Sequence, residues 1–167
     1  MGRSRTLNVM QGDAEIIEVL NEVLTAELTA VNQYFLHGKL CANWGYKRLA
    51  QVDRDESIDE MKHAERVTDR IIYLEGFPNY QRYFPLHIGE TVPEQFEADH
   101  QLEVEAIARL NKGIELAVAK GDNGTRELLA DILVEEEAHA DWLETQFETI
   151  RQIGLENYLA QQLHGDD

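Results

Sequence analysis

At 167 residues, with a formal charge of −17 and a pI near 4.6, the chain is sized for one domain that buries most of its unfolded surface in a single core. So acidic a surface is repelled by nucleic acid and by anionic membranes, which leaves cations and basic groups as the expected partners. The single cysteine, Cys41, cannot form an internal disulfide, and neither a secretory leader nor a bilayer-length apolar run is legible, which points to the cytoplasm.

Residues 1–9 are basic and unpatterned, and are read as a disordered N-terminal extension ahead of one bundle domain over 10–167, with Met10 as an alternative start. Asp13 can cap a first helix whose apolar positions Ile16, Ile17, Leu20, Leu24, Val31 and Phe35 recur at threes and fours and which ends near Asn43-Trp44-Gly45. A second helix runs from about Lys47 through Ile58, Val67, Ile71 and Leu74 to the breaker Gly76-Phe77-Pro78-Asn79. Thr91-Val92-Pro93-Glu94 offers a capping box for a third, through Phe96, Ile107, Leu110 and Ile114 to Lys120-Gly121-Asp122. A fourth spans about Thr125 to Ile153, and Gly154 separates it from a short tail helix over roughly 155–163. No strand pattern competes, so the fold class is all-α. The first and last pairs of long helices are joined by short turns and should be antiparallel hairpins. Residues 77–91 can instead run back along a whole helix, at ~3.3 Å per residue, which makes the second and third helices parallel. Four helices with one long crossover and a short fifth helix form a ferritin-like bundle.

The inward stripes of these helices contain charges. Glu27 falls between Leu24 and Val31, with Tyr34 on the same stripe, and Glu103 falls between Phe96 and Ile107. Glu60 and His63 precede Val67 and Ile71; Glu136 and His139 lie between Ile132 and Leu143. An ionised carboxylate in an apolar core costs several kcal/mol unless it is paired or holds a cation. Glu27 to Glu60 and Glu103 to Glu136 are both 33 residues, so the hairpins look like versions of one unit. One Glu from each of two helices, plus Glu-x-x-His from each of the other two, is the known ligand set of di-iron and di-manganese carboxylate bundles. An oxygen-rich site with two imidazoles suits iron or manganese, and zinc can also enter it.

Glu-x-x-His alone is a weak signal, and the same spacing at Glu97 to His100 is read as an exposed pair. Two copies in register, each preceded by an inward Glu, are specific. Tyr34 and Trp142 lie near the ligands, where an aromatic can either pack or take part in redox chemistry. Cys41 is read as a packed thiol, and His37, His87, His100 and His164 as surface or structural. Met61 must point about 100° away from Glu60, outward from a charged run, which suits either a partner surface or a soft ligand.

The segments "MQGD" at 10–13, "ELTAVNQYFLH" at 27–37, "ESIDEMKHAER" at 56–66, "LEGFPNYQ" at 74–81 and "EEEAHADWLETQ" at 135–146 resemble the bacterioferritin family over nearly all of residues 10–163. The resemblance implies a hollow shell of twenty-four chains and a ferroxidase centre inside each bundle that oxidises Fe(II) with O2 or H2O2. It makes Glu27, Glu60, His63, Glu103, Glu136 and His139 the iron ligands, with Glu60 and Glu136 bridging. It also makes Met61 the axial ligand of a b-type haem shared by two chains, which would carry electrons inward for iron release from a small ferredoxin docked outside. Some relatives carry a histidine and an aspartate on the inner wall; here the resemblance puts Asp55 and Asp59 at those positions, so it implies an inner iron site in altered form. A rubrerythrin-type peroxidase would need a cysteine-ligated iron domain that one cysteine cannot build. A non-enzymatic haem carrier or helical shell is the other rival, and rapid ferrous oxidation separates it from an enzyme.

Overall fold

Asp13 opens the first helix as its residue type predicts: in the computed structural model, which describes residues 11–165, its side chain accepts from the Glu15 N–H. The expected extension over 1–9 lies outside the described residues. Helix α1 spans Ala14–Trp44 and ends at Gly45, whose φ of 90° is the left-handed conformation that a helix terminator requires. Helix α2 (Lys47–Tyr73) follows after Gly45 and Tyr46. Helix α3 (Val92–Ala119) starts at the expected Thr91 cap, although Glu94 closes back onto the Glu90 N–H instead of that of Thr91. Helix α4 (Asn123–Ile153) begins two residues before the expected Thr125, because Asp122 accepts from Thr125 N–H and is the true cap. The tail helix α5 is Leu155–Ala160, shorter than expected. No strand occurs among the described residues, and no helix among them is long and apolar enough to cross a membrane.

The topology is the predicted one, and its cause is visible in the hydrogen bonds. Helix α1 packs on α2, α3 on α4, and the two hairpins meet through α1 with α3 and α2 with α4. The crossover follows α1 from its beginning to its end: Asn21 holds Phe77 O and Asn79 N–H, Thr29 accepts from Phe84 N–H, Gln33 from His87 N–H, and His37 from Gly89 N–H. It therefore delivers the chain to the far end of the bundle, so that α3 runs parallel to α2.

The interior is layered. At one end lies an apolar core of Ile16, Leu20, Leu24, Val67, Ile71, Leu110, Leu129 and Ile132 with their neighbours, each such buried side chain stabilising the fold by about 1.5–3 kcal/mol. At the other, Leu49, Val92, Phe96, Leu143 and Tyr158 form a second core, which α5 closes as Tyr158 donates to Gln146 at 2.8 Å. Trp142 packs edge-on against Phe96 there. Between the cores, every helix of the bundle contributes buried polar groups. Two stripe positions depart from expectation: Phe35 and Ile58 are exposed at 51% and 44%, having been counted as core by spacing although they lie on the outer edge of α1 and α2.

Candidate metal centre

The six charged stripe residues meet in the middle of the bundle. Glu27, Glu60, His63, Glu103 and Glu136 are buried at 0–2% exposure, and the His139 side chain is exposed by 13%. Ligand atoms of Glu27, Glu60, His63 and Glu136 lie within 4.8 Å of one another, and so do those of Glu60, Glu103, Glu136 and His139. Glu60 and Glu136 belong to both groups. The arrangement can therefore hold two cations, each with one imidazole and one carboxylate of its own and with two carboxylates between them.

Local chemistry fits that use. Glu27 Oε2, Glu103 Oε2, both oxygens of Glu60 and of Glu136, and the Nδ1 atoms of His63 and His139 are buried without a hydrogen-bond partner. A core that orphaned so many polar atoms would be heavily destabilised unless something charged bound them. His63 Nδ1 sits 3.0 Å from Glu136 and 3.4 Å from Glu27, while His139 Nδ1 sits 3.4 Å from Glu60. Each ring turns its other nitrogen outward to a carboxylate, His63 Nε2 to Glu135 at 2.7 Å and His139 Nε2 to Glu56 at 2.7 Å. Such outer carboxylates fix the ring orientation of metal-binding histidines. Spacing did not single out Glu56 or Glu135, because both are partly exposed and lie off the apolar stripes.

The electrostatics describe a cluster that competes for protons. Burial and then the charge of Glu60 push Glu27 well above the usual carboxylate range, and burial followed by Glu136 and Glu60 does the same to Glu103. Glu136 is raised by burial and by Glu60. Burial also acts to raise Glu60, but the neighbouring Glu27, His139 and His63 outweigh it and hold it below the usual carboxylate range. Burial would lower His139, yet Glu56 and Glu60 outweigh it and push it up to about 10; His63 is raised likewise by Glu136, Glu27 and Glu60. A cation must therefore compete with protons for these atoms.

Tyr34 is buried and donates to Glu103 Oε1; burial and the charges of Glu103 and Asp99 keep its phenol protonated. Below it lies a polar layer that spacing missed: Gln33, His37, Cys41, Asp53, Gln95 and Asp99, all buried. His37 is structural, within 3.0 Å of Asp99, and Cys41 is a packed thiol 3.1 Å from Gln95. Polar residues buried on the inward faces, Gln33 and His37 on α1 and Gln95 and Asp99 on α3, the last one turn before Glu103, were the available signal. His100 is half-buried and contacts Glu144 at 3.0 Å instead of Glu97, so the third Glu-x-x-His is no pair at all.

Met61 lies on the opposite face of α2, 48% exposed, with Ile58 exposed one turn away and Phe35 exposed on α1. A neutral, exposed thioether is a soft donor of the kind a haem iron can accept. Asp55 is exposed and accepts from Gln51, and Asp59 is bridged to Lys62 at 2.6 Å; neither lies with the six central residues.

A family model for the ferritin-like domain matches residues 17–153. Among curated proteins, the bacterioferritin of Mycolicibacterium paratuberculosis is 54% identical over 152 residues, covering 91% of this chain and 96% of that protein. The bacterioferritin of Streptomyces coelicolor is 54% identical over 90% of both chains. That of Brucella melitensis is 46% identical over 89% of this chain and 92% of its own.

Proposed function

The chain belongs to the bacterioferritin family, and from that premise we propose that it stores iron by oxidising Fe(II) at the central cluster with O2 or H2O2 and depositing ferric mineral inside a shell of twenty-four copies. The observation that carries this reading is the set of orphaned ligand atoms in two overlapping groups. Glu27 and His63 serve one ferrous ion, Glu103 and His139 the other, and Glu60 and Glu136 bridge them. Two ions side by side supply two electrons together. These convert H2O2 and two protons to two waters, or O2 and two protons to H2O2, leaving two ferric ions. Four carboxylates offset the added charge, while the outer contacts of Glu56 and Glu135 hold the imidazoles in place. Tyr34, donating to Glu103, holds that carboxylate toward the second ion.

Met61 would hold a b-type haem between two copies, and haem there supplies an electron route to the mineral. Asp55 and Asp59 would pass iron along the inner wall, a small ferredoxin would be the external reductant, and the shell would work in the cytoplasm. Anaerobic ferrous titration followed by oxygen tests the central claim: two irons oxidised rapidly per chain are expected, and slow oxidation at the rate of free iron would overturn it.

A further inference from the structure

The two hairpins repeat their ligands without repeating their surroundings. Under the offset that carries Glu27 onto Glu103 and Glu60–His63 onto Glu136–His139, Asp99 corresponds to Val23, Tyr34 to Leu110, Asp53 to Leu129, and Glu56 to Ile132. The four apolar members all belong to the first core. Tyr34 and Glu56 touch Glu103 and His139, and Asp99 lies one helical turn before Glu103.

Hydrogen-bond geometry assigns the charge of Asp99. Gly89 N–H donates to His37 Nε2 at 3.1 Å, so the ring proton is on Nδ1, which faces Asp99 Oδ2 at 3.1 Å. Gln33 Oε1 accepts from His87 N–H at 3.2 Å, which leaves Gln33 Nε2 to donate to Asp99 Oδ1 at 2.8 Å. Both oxygens accept, as in a carboxylate, and the residue is 1% exposed. Apart from His139, Glu56 has no cationic side chain beside it among the described contacts. On the other side Glu135 shares its charge with Arg66 at 3.2 Å and is half exposed.

We propose that Asp99, clamped by Gln33 and His37, is a positioning residue that makes the two cation positions unequal: the Glu60–Glu103–Glu136–His139 position takes the first divalent cation and the Glu27–Glu60–His63–Glu136 position the second. The inference rests on the two-cation reading above. A fixed buried anion attracts a cation in inverse proportion to its distance, with little screening, and the position beside Val23 has no such anion. Once the first cation occupies Glu60 and Glu136, the shared carboxylates are partly neutralised and the second position weakens further.

The test titrates the full-length metal-free protein with Co(II), followed by absorption and calorimetry, together with crystals soaked at one Co(II) per chain and read by anomalous scattering. The parent should bind in two steps separated by about tenfold or more in affinity, and the anomalous peak at one equivalent should lie beside His139. Asp99→Asn keeps the shape and removes the charge, and should bring the two steps together. Cys41→Ser changes a neutral member of the same buried layer that touches none of the six ligands, and should leave them apart. Equal steps in the parent, first occupancy beside His63, separate steps in a folded Asp99→Asn, or merged steps in Cys41→Ser would each overturn the proposal. Should Asp99→Asn not fold, the parent's peak position decides alone. Failure to bind Co(II) at all would overturn the two-cation reading as well, whereas two equal positions would overturn only the inequality.

Discussion

Raising the pH from about 5 to about 8 should lower the melting temperature of the metal-free protein and widen the gap that a divalent cation opens. Glu27, Glu103 and Glu136 are displaced upward from a reference of 4.5. A group whose folded pKa is raised contributes stability that is full below its unfolded pKa and is lost as the pH climbs through the folded one. His139, raised to about 10 from 6.5, acts with the same sign from about pH 6.5 upward. A cation displaces these protons, so its affinity should grow over the same interval. With free cation at a hundredfold excess over Kd, each position adds ~2.7 kcal/mol, or about 5 kcal/mol for the two groups. At ~2–4 °C per kcal/mol for a chain of this size, the shift is about 10–20 °C. Differential scanning calorimetry with and without Co(II) at several pH values measures it. A metal-free melting temperature that stays flat or rises across the interval, or a cation shift equally large in Glu27→Gln/Glu103→Gln, would refute the argument.

Three further perturbations separate the parts of the molecule. His63→Ala and His139→Ala should each remove a nitrogen ligand and abolish fast oxidation of two irons per chain, while the bundle stays helical at a cost of only a few kcal/mol; stopped-flow oxidation beside circular dichroism checks both. Glu56→Gln and Glu135→Gln leave all six central residues in place but loosen the imidazoles, and should weaken cation binding about 10–100-fold by calorimetry. Met61→Ala should assemble, lack the haem Soret band and oxidise ferrous iron at the normal initial rate but release it slowly on reduction; haem retained at one per two chains would exclude Met61 as the ligand.

Most of the fold was legible because its signals are local. Helix periodicity, the caps at Asp13 and Thr91 and the breaker at Gly45 are written within a few residues of where they act, and the crossover's length alone dictated the topology. The central cluster was legible for a different reason: carboxylates on an apolar stripe contradict the stripe, and repetition at equal spacing makes the contradiction specific. What escaped was set by contacts between helices. Asp99 and His37 look like ordinary surface types until α1 and α3 bring them together, and Glu56 and Glu135 acquire their roles only from where the facing imidazoles point. Phe35 and Ile58 show the reverse error, since a period of 3.6 cannot say where a broad apolar face ends.

The crossover carries a consequence for which changes the chain can tolerate. By composition, with Pro78, Pro85 and Gly89 and no regular structure, it looks like the kind of connection in which insertions and deletions accumulate. Yet its backbone N–H groups are docked one after another on Asn21, Thr29, Gln33 and His37, side chains spaced along a rigid helix like marks on a ruler. One added residue shifts everything downstream by ~3.3 Å, enough to unseat Gly89 from His37, and a Cβ on that glycine would already lie 2.2 Å from Gln95 N. The segment is thus locked in length as firmly as a helix is.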